Sequence, residues 1–249
     1  MAASNSDDRS PLRPWTLVLG FLLSLFFLFG WFDHSEMVET ALQNPTRVTV
    51  VATSGPIEIV GGDQAIVAVR NSWLFSEPTI EIVERNGEAV VRASCPGRFP
   101  CRSAVRLTLP AGVDVTAVAS DGVVDVSRFD GHLEVFSTAE EGVLLSSVVG
   151  TARIVSSSGA IVGAGLQLSD LSVETVDARV ELGFGVPPDN VSVEAGSELV
   201  VVTLPDRLYR VEIETVSLNV EVAVDEAPAS ARSIAVSTTG PVRVGTART

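Results

Sequence analysis

No lysine occurs in this 249-residue chain, and its 17 basic residues are all arginine. That removes the amine which serves elsewhere as a base or a Schiff-base former. Histidine is nearly as scarce, with His34 and His132 alone. No G-x-S-x-G elbow accompanies them, so a Ser/His/Asp hydrolase has little to build on. No glycine-rich loop leads into a helix as a phosphate cradle would, and Gly163-Ala164-Gly165 reads as a turn. The G-G-x-G-x-D run of calcium-binding repeats is missing; Gly61-Gly62-Asp63 is a single instance and reads as a hairpin turn. The expectation is therefore no catalytic residue, no metal site, no cofactor and no enzyme.

Aromatic residues make up only 6% of the chain, and valine is abundant, which favours strands over helices. With 31 acids the formal charge is -14, and a surface that acidic repels nucleic acid and anionic headgroups. No nucleic-acid partner is expected. Beyond the first 45 residues the apolar aromatic cluster is Trp73-Leu74-Phe75, expected to plug an exposed end of the fold, with a contact patch as the alternative.

Long hydrophobic runs are missing too, with one exception. Residues 15–32, WTLVLGFLLSLFFLFGWF, carry no charge, and as a helix they rise ~27 Å against a bilayer core of ~30 Å. A secretory signal has a shorter apolar region followed by a small-residue cleavage site; here the run ends in Gly30-Trp31-Phe32-Asp33. Trp15 and Trp31 suit the two membrane interfaces. Arg9 and Arg13 precede the span and the next basic residue after it is Arg47, so the positive-inside rule places the N-terminus in the cytoplasm. The expected organisation is a cytoplasmic tail over 1–14, a transmembrane anchor over 15–32, a linker over 33–45 and an extracytoplasmic domain over 46–249. The linker reads as a short helix or an extended stalk. The expected location is the cell membrane, single-pass.

Cys95 and Cys101 are the two cysteines and enclose a five-residue loop, PGRFP. Outside the cytoplasm so close a pair is expected to form a disulfide. A closed zinc site needs four ligands, and neither histidine is near in sequence.

What the chain has in plenty is repetition. SVETVDARVEL at 172–182 is followed by SVEAGSELVVV at 192–202 and EIETVSLNVEV at 212–222. Val173, Val193 and Ile213 form one column; Glu174, Glu194 and Glu214 form the next; Val180, Val200 and Val220 another; Leu182, Val202 and Val222 a fourth. Apolar and polar residues alternate within each copy, the period of a strand with one buried face. An earlier copy places Ile154 over Val173 and Ile161 over Val180. Gly122, Gly131, Gly142, Gly150 and Gly159 recur at strand-and-turn spacing, each available for a chain reversal. Units of ~20 residues with two short strands cannot bury their apolar face alone, so they stack. The fold class is all-β: a repeat-built, β-solenoid-like ectodomain, with a β-sandwich as the alternative, behind one N-terminal transmembrane helix. The valine columns are expected inside and the glutamate column in water.

Asp121, Asp125, Asp130 and Glu134 are the carboxylates that repeats could bring to one face, though solvated charges are the ordinary role for such residues. Asn190-Val191-Ser192 satisfies a glycosylation sequon.

Leu204-Pro205, Tyr209-Arg210-Val211 and Thr238-Thr239-Gly240-Pro241-Val242, together with LTLPAGVDV from Leu107 and ATSGPIEIVGGD from Ala52, set a recurring pattern over residues 46–245. In this the chain resembles the bacterial putative-adhesin family of β-strand-repeat proteins, a domain of unassigned function. The resemblance implies an extracytoplasmic β-repeat domain and carries over no catalytic or binding residue. The expected function is a membrane-anchored, non-catalytic binding or adhesion-like role at the cell surface. The alternative is a structural or sensory accessory subunit of a membrane complex. The membrane is the one partner expected by name, with an unidentified envelope or protein partner beside it.

Overall fold

The computed structural model describes residues 34–96 and 101–246, and those from Ser35 onward cluster as one compact unit. The expected cytoplasmic tail and membrane span lie outside the described residues. Every regular element described is a strand, so this part of the chain is all-β. None of it contains a helix long and apolar enough to cross a membrane.

The strands are β1 (His34–Ala41), β2 (Arg47–Ala52), β3 (Ile57–Gly61), β4 (Ile66–Trp73), β5 (Thr79–Arg85), β6 (Glu88–Ser94) and β7 (Cys101–Leu109). There follow β8 (Asp114–Ala119), β9 (Val124–Ser127), β10 (Asp130–Ser137), β11 (Val143–Ser146), β12 (Val149–Ser158), β13 (Ile161–Asp177) and β14 (Val180–Phe184). The chain closes with β15 (Asn190–Glu194), β16 (Val200–Leu204), β17 (Leu208–Thr215), β18 (Val220–Ala223), β19 (Asp225–Glu226), β20 (Ser233–Thr238) and β21 (Val242–Thr246).

Two ladders of parallel strands organise them. The first runs β6, β2, β8, β10, β12, the second half of β13, β15, β20, β17. The second runs β7, β3, β9, β11, the first half of β13, β14, β16, β21, β18. Successive chain segments alternate between them, and the inward residues of both belong to a single hydrophobic cluster.

Two columns run the length of that cluster. One reads Val91, Val50, Ala117, Val135, Ile154, Val173, Val193, Val236, Ile213 across the first ladder. Another reads Val105, Ile57, Val124, Val143, Ile161, Val180, Val200, Val242, Val220 across the second. All but the last member of each are buried. Burial of such side chains stabilises by ~1.5 to 3 kcal/mol each. Glu194, on the opposite face of β15, is exposed, so the expected inside and outside hold for Val173, Val193, Val180 and Val200, whereas Val220, expected inside, is 43% exposed at the end of its column.

Both ends of the ladders are threaded out of sequence order. β2 and β3 lie between β6/β7 and β8/β9. β20 and β21 lie between β15/β16 and β17/β18. The third repeat copy therefore does not rest on the second, as its sequence alone predicts; a later segment occupies the place between them. Ser237 thereby separates Glu194 from Glu214, relieving a direct pairing of like charges.

Several turns differ from expectation. Gly61-Gly62-Asp63 makes no hairpin, because β7 stands between β3 and β4. Gly163-Ala164-Gly165 lies within β13, where the pairing shifts register and Gly165 has φ +61°; there the long strand passes from one ladder to the other. Residues 34–41 of the expected linker are strand β1, which pairs with β4. Gly122 and Gly142 do supply left-handed corners, at φ +90° and +86°. A neighbouring corner type uses Arg128 and Ser147 instead, at φ +52° and +54°, and Gly131 lies inside β10.

Candidate functional site

The outward face of the first ladder carries the longest ordered array of polar side chains. Its backbone register aligns Glu88, Arg47, Asp114 and, beyond them, Thr151, Asp170, Asn190, Ser233 and Arg210. Arg47 reaches Glu88 at 3.6 Å on one side and Asp114 at 3.3 Å on the other. His132 Nδ1 lies 2.7 Å from Thr151 Oγ1, its strand partner. Asn190 Nδ2 donates to Asp170 Oδ1 at 2.8 Å, and Ser233 Oγ donates to Asn190 Oδ1 at the same distance. Hydrogen bonds from Asn190 first, and then from Ser169, hold the Asp170 carboxyl below the usual aspartate range. One row further along, Arg153 Nη2 meets Glu174 Oε1 at 2.9 Å.

These contacts follow from parallel strands in register. Like positions stand one strand spacing apart, ~4.8 Å, close enough for short side chains to link across the ladder. The array offers single donors and acceptors in a line. Its one hydroxyl beside an imidazole, Thr151 on His132, lies on the exposed face of the sheet.

His132 is half-exposed and 3.9 Å from Glu134 through Nε2, so its two ring nitrogens face a hydroxyl and a carboxylate on a solvated sheet. The four carboxylates do not converge: Asp125 is on β9 in the second ladder, Asp130 and Glu134 are on β10 in the first, and Asp121 occupies a corner. Among the described residues no three His, Cys, Asp or Glu side chains are placed to hold a metal ion. The sequon asparagine, Asn190, has its amide engaged by Asp170 within a strand.

Cys95 and Cys101 form a disulfide with Cα atoms 5.7 Å apart, joining the end of β6 to the start of β7. Trp73 pairs with Cys101 in register, and Phe75 is 57% exposed. β4 and β5 cover that end of the ladders as antiparallel strands on β7 and β6, and Trp73 is the last residue of β4.

The second ladder's outward face has a shallow groove of about 390 Å³, lined by Met37, Glu58, Arg70, Arg106, Val123 and Asp125 among others. Arg106 lies 3.6 Å from Glu58. Two guanidinium groups and two carboxylates leave the lining without net charge. The sequence signal for this groove is the register that puts Arg106, Glu58 and Asp125 in one row; it becomes visible only once β7 is known to neighbour β3.

No protein-family model matches this chain. No curated protein matches it either. Among solved structures it is similar to a putative adhesin from Parabacteroides merdae, at 9% identity and TM-score 0.47, over 86% of this chain and 96% of that one. A putative adhesin from Bacteroides fragilis has 12% identity and TM-score 0.45, over 86% and 97%. A putative cell adhesion protein from Clostridium sporogenes has 12% identity and TM-score 0.36, over 86% and 100%. The structural neighbours are thus bacterial putative adhesins, the kind of protein the sequence resembles.

Proposed function

We propose that this chain is a single-pass membrane protein whose residues 46–249 form an extracytoplasmic, β-solenoid-like domain with a non-catalytic, adhesion-like binding role. The observation that carries the reading is the outward polar line through Asp114, Thr151, Asp170, Asn190 and Ser233. A line of single donors and acceptors at strand spacing suits an extended, repetitive envelope polymer. It would hold such a partner by many weak contacts, multiplied by many copies on one membrane.

Parallel, in-register pairing of segments nineteen or twenty residues apart, as in Ile154 with Val173 and Val173 with Val193, favours a solenoid over a sandwich of antiparallel sheets. The Cys95–Cys101 disulfide fits an oxidising compartment. Anchoring and orientation rest on the uncharged run at 15–32 and on Arg9 and Arg13 before it.

Two measurements test this. Protease added to intact cells is expected to degrade residues 46–249 and spare an N-terminal tag; a mature N-terminus at or beyond Phe32 would overturn the anchor. Detergent-solubilised full chain is expected to retain envelope polymer, and the Thr151→Ala/Asn190→Ala variant is expected to retain less. Equal retention by both would overturn the binding face. Co-purification of a membrane complex through the span, with no polymer bound, would favour an accessory subunit.

A further inference from the structure

The two ends of the ladders are finished differently. At one end the inward columns stop at Ala89, Val91, Val105 and Leu107, all buried. Beyond them β4 contributes the buried Val67 and Val69, and β5 packs Ile80 and Ile82 against the core. At the other end the same columns stop at Val211, Ile213, Val220 and Val222. Val211, Ile213 and Val222 are only partly buried, and Val220 is 43% exposed. The turn between β17 and β18 adds Val216 and Leu218, exposed by 81% and 100%; the corresponding corner after β15 carries Gly196, and the one within 176–179 exposes Val176 by 74%.

The backbone at this end is poised for another strand. Arg210 N–H donates to Arg232 C=O, which directs residues 210, 212 and 214 toward β20. Alternation along a strand turns the N–H and C=O groups of Tyr209, Val211 and Ile213 the other way. The chain itself uses the first of these positions. β19 adds to β17 as a parallel strand at Leu208 and Tyr209, with Ala227 N–H donating to Tyr209 C=O at 2.8 Å. It leaves at Pro228, which has no N–H to continue the ladder. Among the described residues no strand pairs with β17 on that side beyond Tyr209.

We propose that the β17/β18 edge is a strand-addition site for a partner protein, and that its occupant is a basic extended segment with apolar residues at alternate positions. The apolar set would complete the columns over Val211, Ile213 and Val220. The basic set follows from Glu214, the edge's outward carboxylate with no arginine beside it; Glu212 and Glu221 are already paired with Arg210 and Arg243. A second copy of this chain fits badly. Antiparallel self-pairing that clears β19 sets Glu212 opposite Glu214, and centring on Glu212 sets it opposite itself, like charges facing in either register. The site is distinct from the polar line on the sheet face, so its failure would leave the binding role proposed there standing.

The test uses the full chain in non-ionic detergent and two fluorescent heptapeptides, one alternating arginine and valine, the other glutamate and valine. The basic peptide is expected to bind at least about tenfold more tightly than the acidic one, and more weakly as salt rises. Ile213→Pro removes an N–H toward the free edge that the fold does not use, so peptide binding is lost, while trimming a partly buried side chain lowers the thermal midpoint only modestly. Glu214→Arg, at an exposed position, is expected to reverse the preference between the peptides and serves if the proline variant does not fold. Equal binding of both peptides, or undiminished binding by both variants, would overturn the proposal. So would self-association of the full chain that Ile213→Pro abolishes while the basic peptide fails to bind.

Discussion

Val193 and Ile213 belong to one inward column yet never touch as neighbours, because Val236 stands between them in register with both. The same holds for Val200 and Val220, parted by Val242. The twenty-residue repeat would nevertheless let β17 and β18 close directly on β15 and β16 without change of register. A chain shortened to end at Ala227 is therefore expected to melt cooperatively and to keep its β-sheet circular dichroism. Its midpoint should fall, since Ile234, Val236, Val242 and Val244 are lost from the core. Glu194 would then oppose Glu214, so added salt should raise the midpoint more in the shortened chain than in the full one. A broad, non-cooperative melt would show that the inserted pair is indispensable.

That insertion also marks where the sequence stops being legible. A period of two and a recurrence at nineteen or twenty residues place Ile154, Val173 and Val193 in one buried column, and Val180 with Val200 in another, as found. Both signals report which residues share a column and say nothing of what lies between them. β20 and β21 carry the same alternation as the copies they separate, so the pattern accommodates either order. Threading of β2 and β3 past β6 and β7 was hidden for the same reason, and with it the groove beside Glu58 and Arg106. The polar line through Asp170, Asn190 and Ser233 was only partly open to reading, since Ser233 joins it through the inserted strand.

The core columns make a sharp stability prediction. Val180 and Val200 are fully buried neighbours. Val180→Asp or Val200→Asp leaves an unpaired charge or a neutral carboxyl without a partner there, at an expected cost of ~3 to 5 kcal/mol in denaturant unfolding. Glu194→Gln, on the exposed face, should change stability by less than ~0.5 kcal/mol.

The glycine corners can be tested by a matched pair. Gly142 and Gly112 have similar φ values, +86° and +81°. A Cβ at Gly142 would lie 2.1 Å from the Ala160 carbonyl oxygen, whereas one at Gly112 meets nothing within 4 Å. Gly112→Ala should cost ~1 kcal/mol for the left-handed backbone alone. Gly142→Ala should cost clearly more, because the neighbouring corner must move. Equal losses in thermal midpoint would mean that the corners do not rest on one another.

The last prediction concerns pH. Asp170 accepts hydrogen bonds from Asn190 and Ser169 and is held below its ordinary value of 3.8. A carboxyl depressed in the folded state stabilises the fold above its unfolded pKa, and that contribution is lost as pH falls through the folded pKa. The affected window therefore lies below about pH 4, and stability at neutral pH should not vary through this group. Asn190→Ala removes the larger cause of the depression, so the Asp170 carboxyl, followed by carbon-13 shifts, is expected to titrate closer to 3.8. The variant's stability should also fall less steeply between about pH 4 and pH 2 than that of the native chain. An unmoved Asp170 titration in Asn190→Ala would mean that the cross-strand hydrogen bond does not set the carboxyl's charge, and the polar line would lose its best-defined link.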